Sequence, residues 1–191
     1  MRRTETGQSM VEMAFVLPVL LIVLFGVMEF GYYIFAYSSV SQAARNGAEM
    51  ASQLPPFESW LDYAEPGNEP ANYPGFRADK CVNAIFLAIE SDSTVFRGAI
   101  NEGRRITDFV TISYPNGGDT RNLNQRGPIE VTINYPIRGI TPLFSLLGME
   151  ESLSLSVTQR RSIENLGVDP TRTQGVACAR DVAELNELNN Q

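Results

Sequence analysis

The chain has 191 residues, a formal net charge of -7, 43% hydrophobic residues and no histidine. An acidic balance argues against nucleic-acid binding, which needs a basic face, and against docking on anionic lipid. The missing histidine removes the commonest general base, the commonest metal ligand and every Ser-His or Cys-His pair, and the length allows one membrane segment plus one modest domain.

Residues 1–7 form a short polar leader carrying Arg2 and Arg3 and ending in Gly7. From Val11 to Tyr37 the only charged residues are Glu12 and Glu29. A transmembrane helix needs roughly 20 apolar residues, so the segment at about 11–37 is long enough to span. A cleaved secretory signal would have a shorter apolar core followed by small residues at the cleavage site, and no such site follows here. The arginines put the N-terminus in the cytoplasm by the positive-inside bias, and the rest of the chain is exported.

Glu12 is the anomaly of this segment. A charge inside a bilayer costs roughly 2.5–3.5 kcal/mol on insertion scales. Either Glu12 lies at the headgroup level, or it meets a cation. Cleavage after Gly7 would give Gln8 a free α-amino group, and the N-terminus of a neighbouring subunit could then pair with Glu12 in an apolar bundle. Pro18 removes one helical hydrogen bond and clashes with the Ala14 carbonyl. With Gly26, it marks either an ordinary membrane helix or a stretch that can bend or unwind. Glu29 is expected at the outer boundary, exposed to the interface, with Tyr32, Tyr33 and Tyr37 as an aromatic belt.

The helix is expected to run on past the membrane, over residues 8–53, for roughly 69 Å. Ala43, Ala44, Gly47, Ala48 and Ala51 allow another backbone to approach closely, from this chain or from another subunit. Residues 54–78 read as an irregular Pro-rich loop, pinned in part by Phe57, Trp60 and Tyr63. Its carboxylates Glu58, Asp62, Glu65 and Glu69 lack EF-hand spacing and read as a solvated loop.

Residues 79–163 read as an α+β globular domain. Asp79 to Glu90 is an amphipathic helix with Val82, Ile85, Phe86 and Ile89 on one face. Arg105 to Tyr114 reads as a strand ended by a turn cluster from Pro115 to Asp119, after a charged turn over Asn101 to Arg105. Ile129 to Tyr135 alternates as a half-buried antiparallel strand, and Leu153, Leu155 and Val157 alternate with serines in a third. Pro142 to Gly148 is an apolar loop or short helix between them. Residues 164–191 read as a polar C-terminal tail, with a short helix over Asp181 to Leu188. The fold class is therefore α+β: a long N-terminal transmembrane helix continuing into a small domain in which a helix packs on an antiparallel sheet.

Cys81 and Cys178 are the two cysteines. An even count in an exported domain points to a disulfide, with two unpaired thiols as the alternative. Closing a loop of about 97 residues is worth up to roughly 4–5 kcal/mol in the chain-entropy model, and it would tether the polar tail up to Cys178 and leave the chain frayed beyond it. No CxxC metal spacing, GxSxG, P-loop, HExxH or dinucleotide fingerprint is present, so neither a metal, a cofactor nor an enzymatic activity is expected.

The sequence Gly7, Gln8-Ser9-Met10-Val11, Glu12 and then an apolar run resembles the cleavage motif of prepilins of the type IV superfamily. The string Val11-Glu12-Met13-Ala14-Phe15-Val16-Leu17-Pro18, then Phe25-Gly26-Val27-Met28-Glu29-Phe30-Gly31 and Gln42-Ala43-Ala44-Arg45-Asn46-Gly47-Ala48, is similar to TadE-like minor pseudopilins of tight-adherence (Tad/Flp) pilus systems. The likeness covers about the first 50 residues and is more diffuse near the C-terminal strands. Met13 stands where an aromatic residue is more usual. The resemblance implies cleavage after Gly7 by a prepilin peptidase, methylation of Gln8, and a role for Glu12 and Pro18 in subunit assembly. It implies a single-pass protein of the inner (cytoplasmic) membrane that serves a pilus in adhesion or biofilm formation. Its partners would be the prepilin peptidase, other pseudopilins, the major pilin and the assembly platform. The rival reading is an unprocessed single-span membrane protein with an exported ligand-binding domain.

Overall fold

The computed structural model describes residues 6–91, 105–116, 127–142, 148, 153–169, 171 and 177–190. The chain divides into two compact units, Met1–Tyr37 with Pro136–Ser154, and Ser38–Tyr135 with Leu155–Gln191. The described elements are helices α1 (Thr6–Gln53), α2 (Glu58–Leu61), α3 (Lys80–Ser91) and α4 (Val182–Asn189), with strands β1 (Val110–Ser113), β2 (Pro128–Ile137) and β3 (Leu153–Ser162). The fold is α+β: a long apolar N-terminal helix followed by helices and a three-stranded sheet in the order β1-β2-β3.

The first unit is built on the apolar half of α1. Met10, Phe15, Val23 and Phe30 are all more than 60% exposed on its surface. Pro18 lies inside a helix that remains unbroken around it. Glu29 departs from the expectation of interface exposure: it is 4% exposed. Its Oε1 accepts from the Ile140 backbone N–H and its Oε2 from that of Thr141, both at 3.1 Å. Those donors lie more than a hundred positions along the chain, where a reading of the helix alone could not find them.

In the second unit, the small residues of α1 are core residues. Ala43, Ala44, Ala48 and Ala51 are fully buried. A Cβ on Gly47 would stand 2.6 Å from Cγ1 of Ile89 on α3, so the two helices meet where only glycine fits without a shift. The amphipathic face of α3 is buried as its periodicity predicts, through Val82, Ile85, Phe86 and Ile89. β2 alternates, with Ile129, Val131 and Ile133 inward, and pairs antiparallel with β1 in the register Val110↔Ile133 and Ile112↔Val131.

Two expectations change here. The strand expected from Arg105 begins only at Val110, because Ile106–Asp108 is a 3₁₀ turn. The Asp108 carboxylate accepts from the Arg105 N–H at 3.2 Å and closes that turn, which competes with extended backbone. The loop over residues 54–78 holds α2 and the 3₁₀ turns Asp62–Ala64 and Phe76–Ala78. Trp60 pins it: the ring is fully buried, Nε1 donates to the Phe76 carbonyl at 2.9 Å, and Tyr63 and Tyr73 meet it at tilted to edge-on angles. Burial, with Glu69 and Tyr63 nearby, pushes the Tyr73 hydroxyl up to about 12. Most of the charged turn before Arg105, residues 117–119 of the turn cluster and residues 143–147 of the apolar loop lie outside the described residues.

Described residues of the polar C-terminal stretch are bound to the rest of the second unit. The Glu164 and Asn165 N–H groups donate to the Ser52 carbonyl at the end of α1, and Ala177, Cys178 and Ala179 are buried. Cys178 is bonded to Cys81, with Cα atoms 5.2 Å apart. Gly167 passes over that bridge at φ +70, where a Cβ would lie 2.8 Å from the Cys178 sulfur. Beyond Cys178 the chain is held rather than frayed. Ser59 Oγ donates to the Arg180 carbonyl, the Arg180 guanidinium lies 5.1 Å from the Phe57 ring, and Leu185 and Leu188 of α4 are buried. Asp181 caps α4 by accepting from the Glu184 N–H at 2.9 Å.

Asp79 joins these parts. Fully buried, it accepts from the Cys81 and Val82 N–H groups of α3 through one oxygen and from the Ala179 N–H, at 2.7 Å, through the other. Asp79→Ala removes a helix cap and strands the Ala179 N–H, so it should destabilise the second unit by about 2–4 kcal/mol, with Asp79→Asn milder. Thermal melts of the full chain followed by Trp60 fluorescence measure the difference. Asp169 is a second buried carboxylate. An ion pair with Lys80, together with hydrogen bonds from the Thr171 hydroxyl and N–H, holds it well below the usual carboxylate range. A depressed folded-state value stabilises the fold at pH above the unfolded value of 3.8. The destabilisation caused by Asp169→Asn should therefore be constant from neutral pH down to about 4 and shrink below it, as the unfolded parent chain takes up a proton that the folded one does not. Paired urea melts from pH 7 to pH 2 read the two curves converging.

Candidate functional site on the N-terminal helix

The residues singled out at the N-terminus fall on consecutive turns of one helix. Gly7 and Gln8 lie in the first turn of α1. Glu12 follows Gln8 by four positions, about 6 Å along the axis and on the same side. It is exposed, within a surface formed by Met10, Val11, Met13 and Phe15, each more than half exposed. Pro18 stands a turn and a half further on, leaving the Ala14 carbonyl without its helical donor. Glu12 and Pro18 are thus presented together on an apolar rod whose flanks touch little of the first unit, while Cys81 and Cys178 lie in the second unit.

An apolar helix of this kind needs an apolar surround. The described stretch from Ser9 to Gln53 contains an 18-residue window of mean hydropathy 2.6, none of it buried inside the protein. A soluble core helix would bury that surface, so its exposure fits a bilayer or a bundle of like helices. In the second unit an open groove of about 460 Å³ runs beside β1, with Glu58, Asp62 and Glu65 along one wall and Thr111 and Tyr114 on the other. Among the described residues, no group of three or more Cys, Asp or Glu side chains is placed to hold a metal ion.

The fold and the exposed helix fit a class of chain in which an N-terminal helix long and apolar enough to span a membrane is followed by a small α+β domain. Residues 7–49 match the family model described as TadE-like protein. The N-terminal segment is accordingly similar to TadE-like proteins. No significant match was found among curated proteins or among solved structures. The match covers both Gly7 and Glu12 and ends before the disulfide-bonded part of the second unit.

Removing the Glu12 charge takes away a group that is costly in hydrocarbon and puts none in its place, so it should not hinder entry into a bilayer. Glu12→Ala is therefore expected to partition into the membrane fraction at least as completely as the parent, measured by resistance to alkaline carbonate extraction.

Proposed function

We propose that the chain is a minor pseudopilin of a tight-adherence pilus, a structural subunit rather than an enzyme, acting in surface adhesion or biofilm formation. A prepilin peptidase cuts after Gly7, and the mature protein begins at Gln8. It waits in the inner membrane as a single-pass protein, N-terminus in the cytoplasm and C-terminal domain exported, until the assembly platform adds it to other pseudopilins or the major pilin.

One observation carries this reading. Gly7 and Glu12 keep prepilin spacing at the head of a continuous helix whose apolar surface is exposed, inside the segment that matches the TadE-like family model. The chemistry follows from that spacing. Cleavage creates a cationic α-amino group on Gln8, and Glu12 is the carboxylate that the N-terminus of an adjoining subunit meets among apolar side chains. Paired opposite charges attract strongly in low dielectric, whereas either one alone is penalised there, so the pair sets the register of one helix against the next. Pro18, by weakening the helix one hydrogen bond beyond Ala14, lets the rod bend as it leaves the bilayer.

The mature N-terminus tests the processing step. Intact-mass measurement on membrane-extracted protein from cells with an active prepilin peptidase should find the chain starting at Gln8, with or without a methyl group. A chain still starting at Met1 sinks the pseudopilin reading and leaves the unprocessed single-span protein with an exported ligand-binding domain. Glu12→Ala should then separate anchoring from assembly: membrane insertion retained, crosslinks to neighbouring pilins lost. Normal crosslinking and normal pili in that variant would refute the pairing role.

A further inference from the structure

We infer that the turn containing Ile140 and Thr141 is a second membrane-contacting element, latched to α1 by Glu29 and seated in the outer interface of the bilayer. The inference rests on the reading of α1 as a membrane span.

Depth sets the argument. Glu29 follows Glu12 by 17 positions, about 26 Å along a helix, and the hydrocarbon core of a bilayer is about 30 Å thick. With Glu12 at the cytoplasmic boundary, Glu29 falls just inside the outer one. A carboxylate at that depth needs partners. It has them in the Ile140 and Thr141 N–H groups, each 3.1 Å from one of its oxygens. The need is mutual, because irregular backbone near the hydrocarbon must also have its polar groups satisfied. The carboxylate oxygens serve as acceptors for two successive amides, and both sides of the contact belong to the first unit.

The side chains of that turn suit lipid. Ile140 is 57% exposed. Phe30 and Val27, at the height of Glu29 on α1, are 67% and 66% exposed. An element at the headgroup–acyl boundary, buried about 5–10 Å, turns such side chains outward.

Fluorescence quenching in nanodiscs of phosphatidylcholine brominated at defined tail depths tests this on the full chain. Trp60 is fully buried in the second unit and supplies a constant background. Phe30→Trp reports on the helix and Ile140→Trp on the turn. Both should shift emission to shorter wavelength and be quenched, Ile140→Trp most strongly by the shallowest bromines. Adding Glu29→Ala to Ile140→Trp should abolish that extra quenching while leaving Trp60 emission unchanged. Quenching of Phe30→Trp without quenching of Ile140→Trp overturns the inference and leaves the membrane span standing. Absence of quenching in both overturns the span and the inference together.

Discussion

The second unit depends on one junction at the head of α3. Three consecutive residues there each hold a different part of the C-terminal chain: Asp79 accepts from the Ala179 N–H, Lys80 pairs with Asp169, and Cys81 is bonded to Cys178. The C-terminal residues have few apolar side chains, so hydrophobic burial alone would not order them. A hydrogen bond to a buried carboxylate, an ion pair and a covalent bond supply that order, and Asp79 at the same time caps the helix that carries it. With α3 held at its first turn, its apolar face is committed to Gly47 and Val131, and the sheet follows.

The first unit obeys a different constraint. It leaves most of an apolar helix uncovered, a surface of the kind that marks a membrane or protein interaction site. The two carboxylates on the first-unit part of that helix are treated in opposite ways. Glu29 is buried and bonded to two backbone amides of its own unit, whereas Glu12 is presented on the surface. In the proposed function this division is what matters: one carboxylate serves the shape of the subunit and the other its neighbours.

The division of labour between helix and domain also explains why the family likeness stops where it does. Residues 7–49 include the apolar rod and the small residues that α3 and β2 pack against. In the proposed function, a rod that fits other rods is constrained along its whole surface. The disulfide-bonded part of the second unit needs only to close its own core, which many sequences can do.

How much was legible follows the range of each interaction. The span of α1, the buried face of α3 and the alternation of β2 rest on periodicity within a few residues, and the structure agrees with each. The late start of β1 escaped because Asp108 bonds the Arg105 amide, a local turn hidden under β-favouring side chains. The burial of Glu29 and the ordering of residues beyond Cys178 escaped for a deeper reason. Glu29 is completed by Ile140 and Thr141, and Arg180 by Ser59 and Phe57, each across about a hundred residues or more. By itself the sequence determined α1, α3, the alternation of β2 and the Gly7–Glu12 spacing, because those are set by neighbours along the chain. Only the tertiary structure decided which carboxylates are enclosed and which amides they serve, because a buried polar group takes its partner from whatever backbone the fold brings within 3 Å or so.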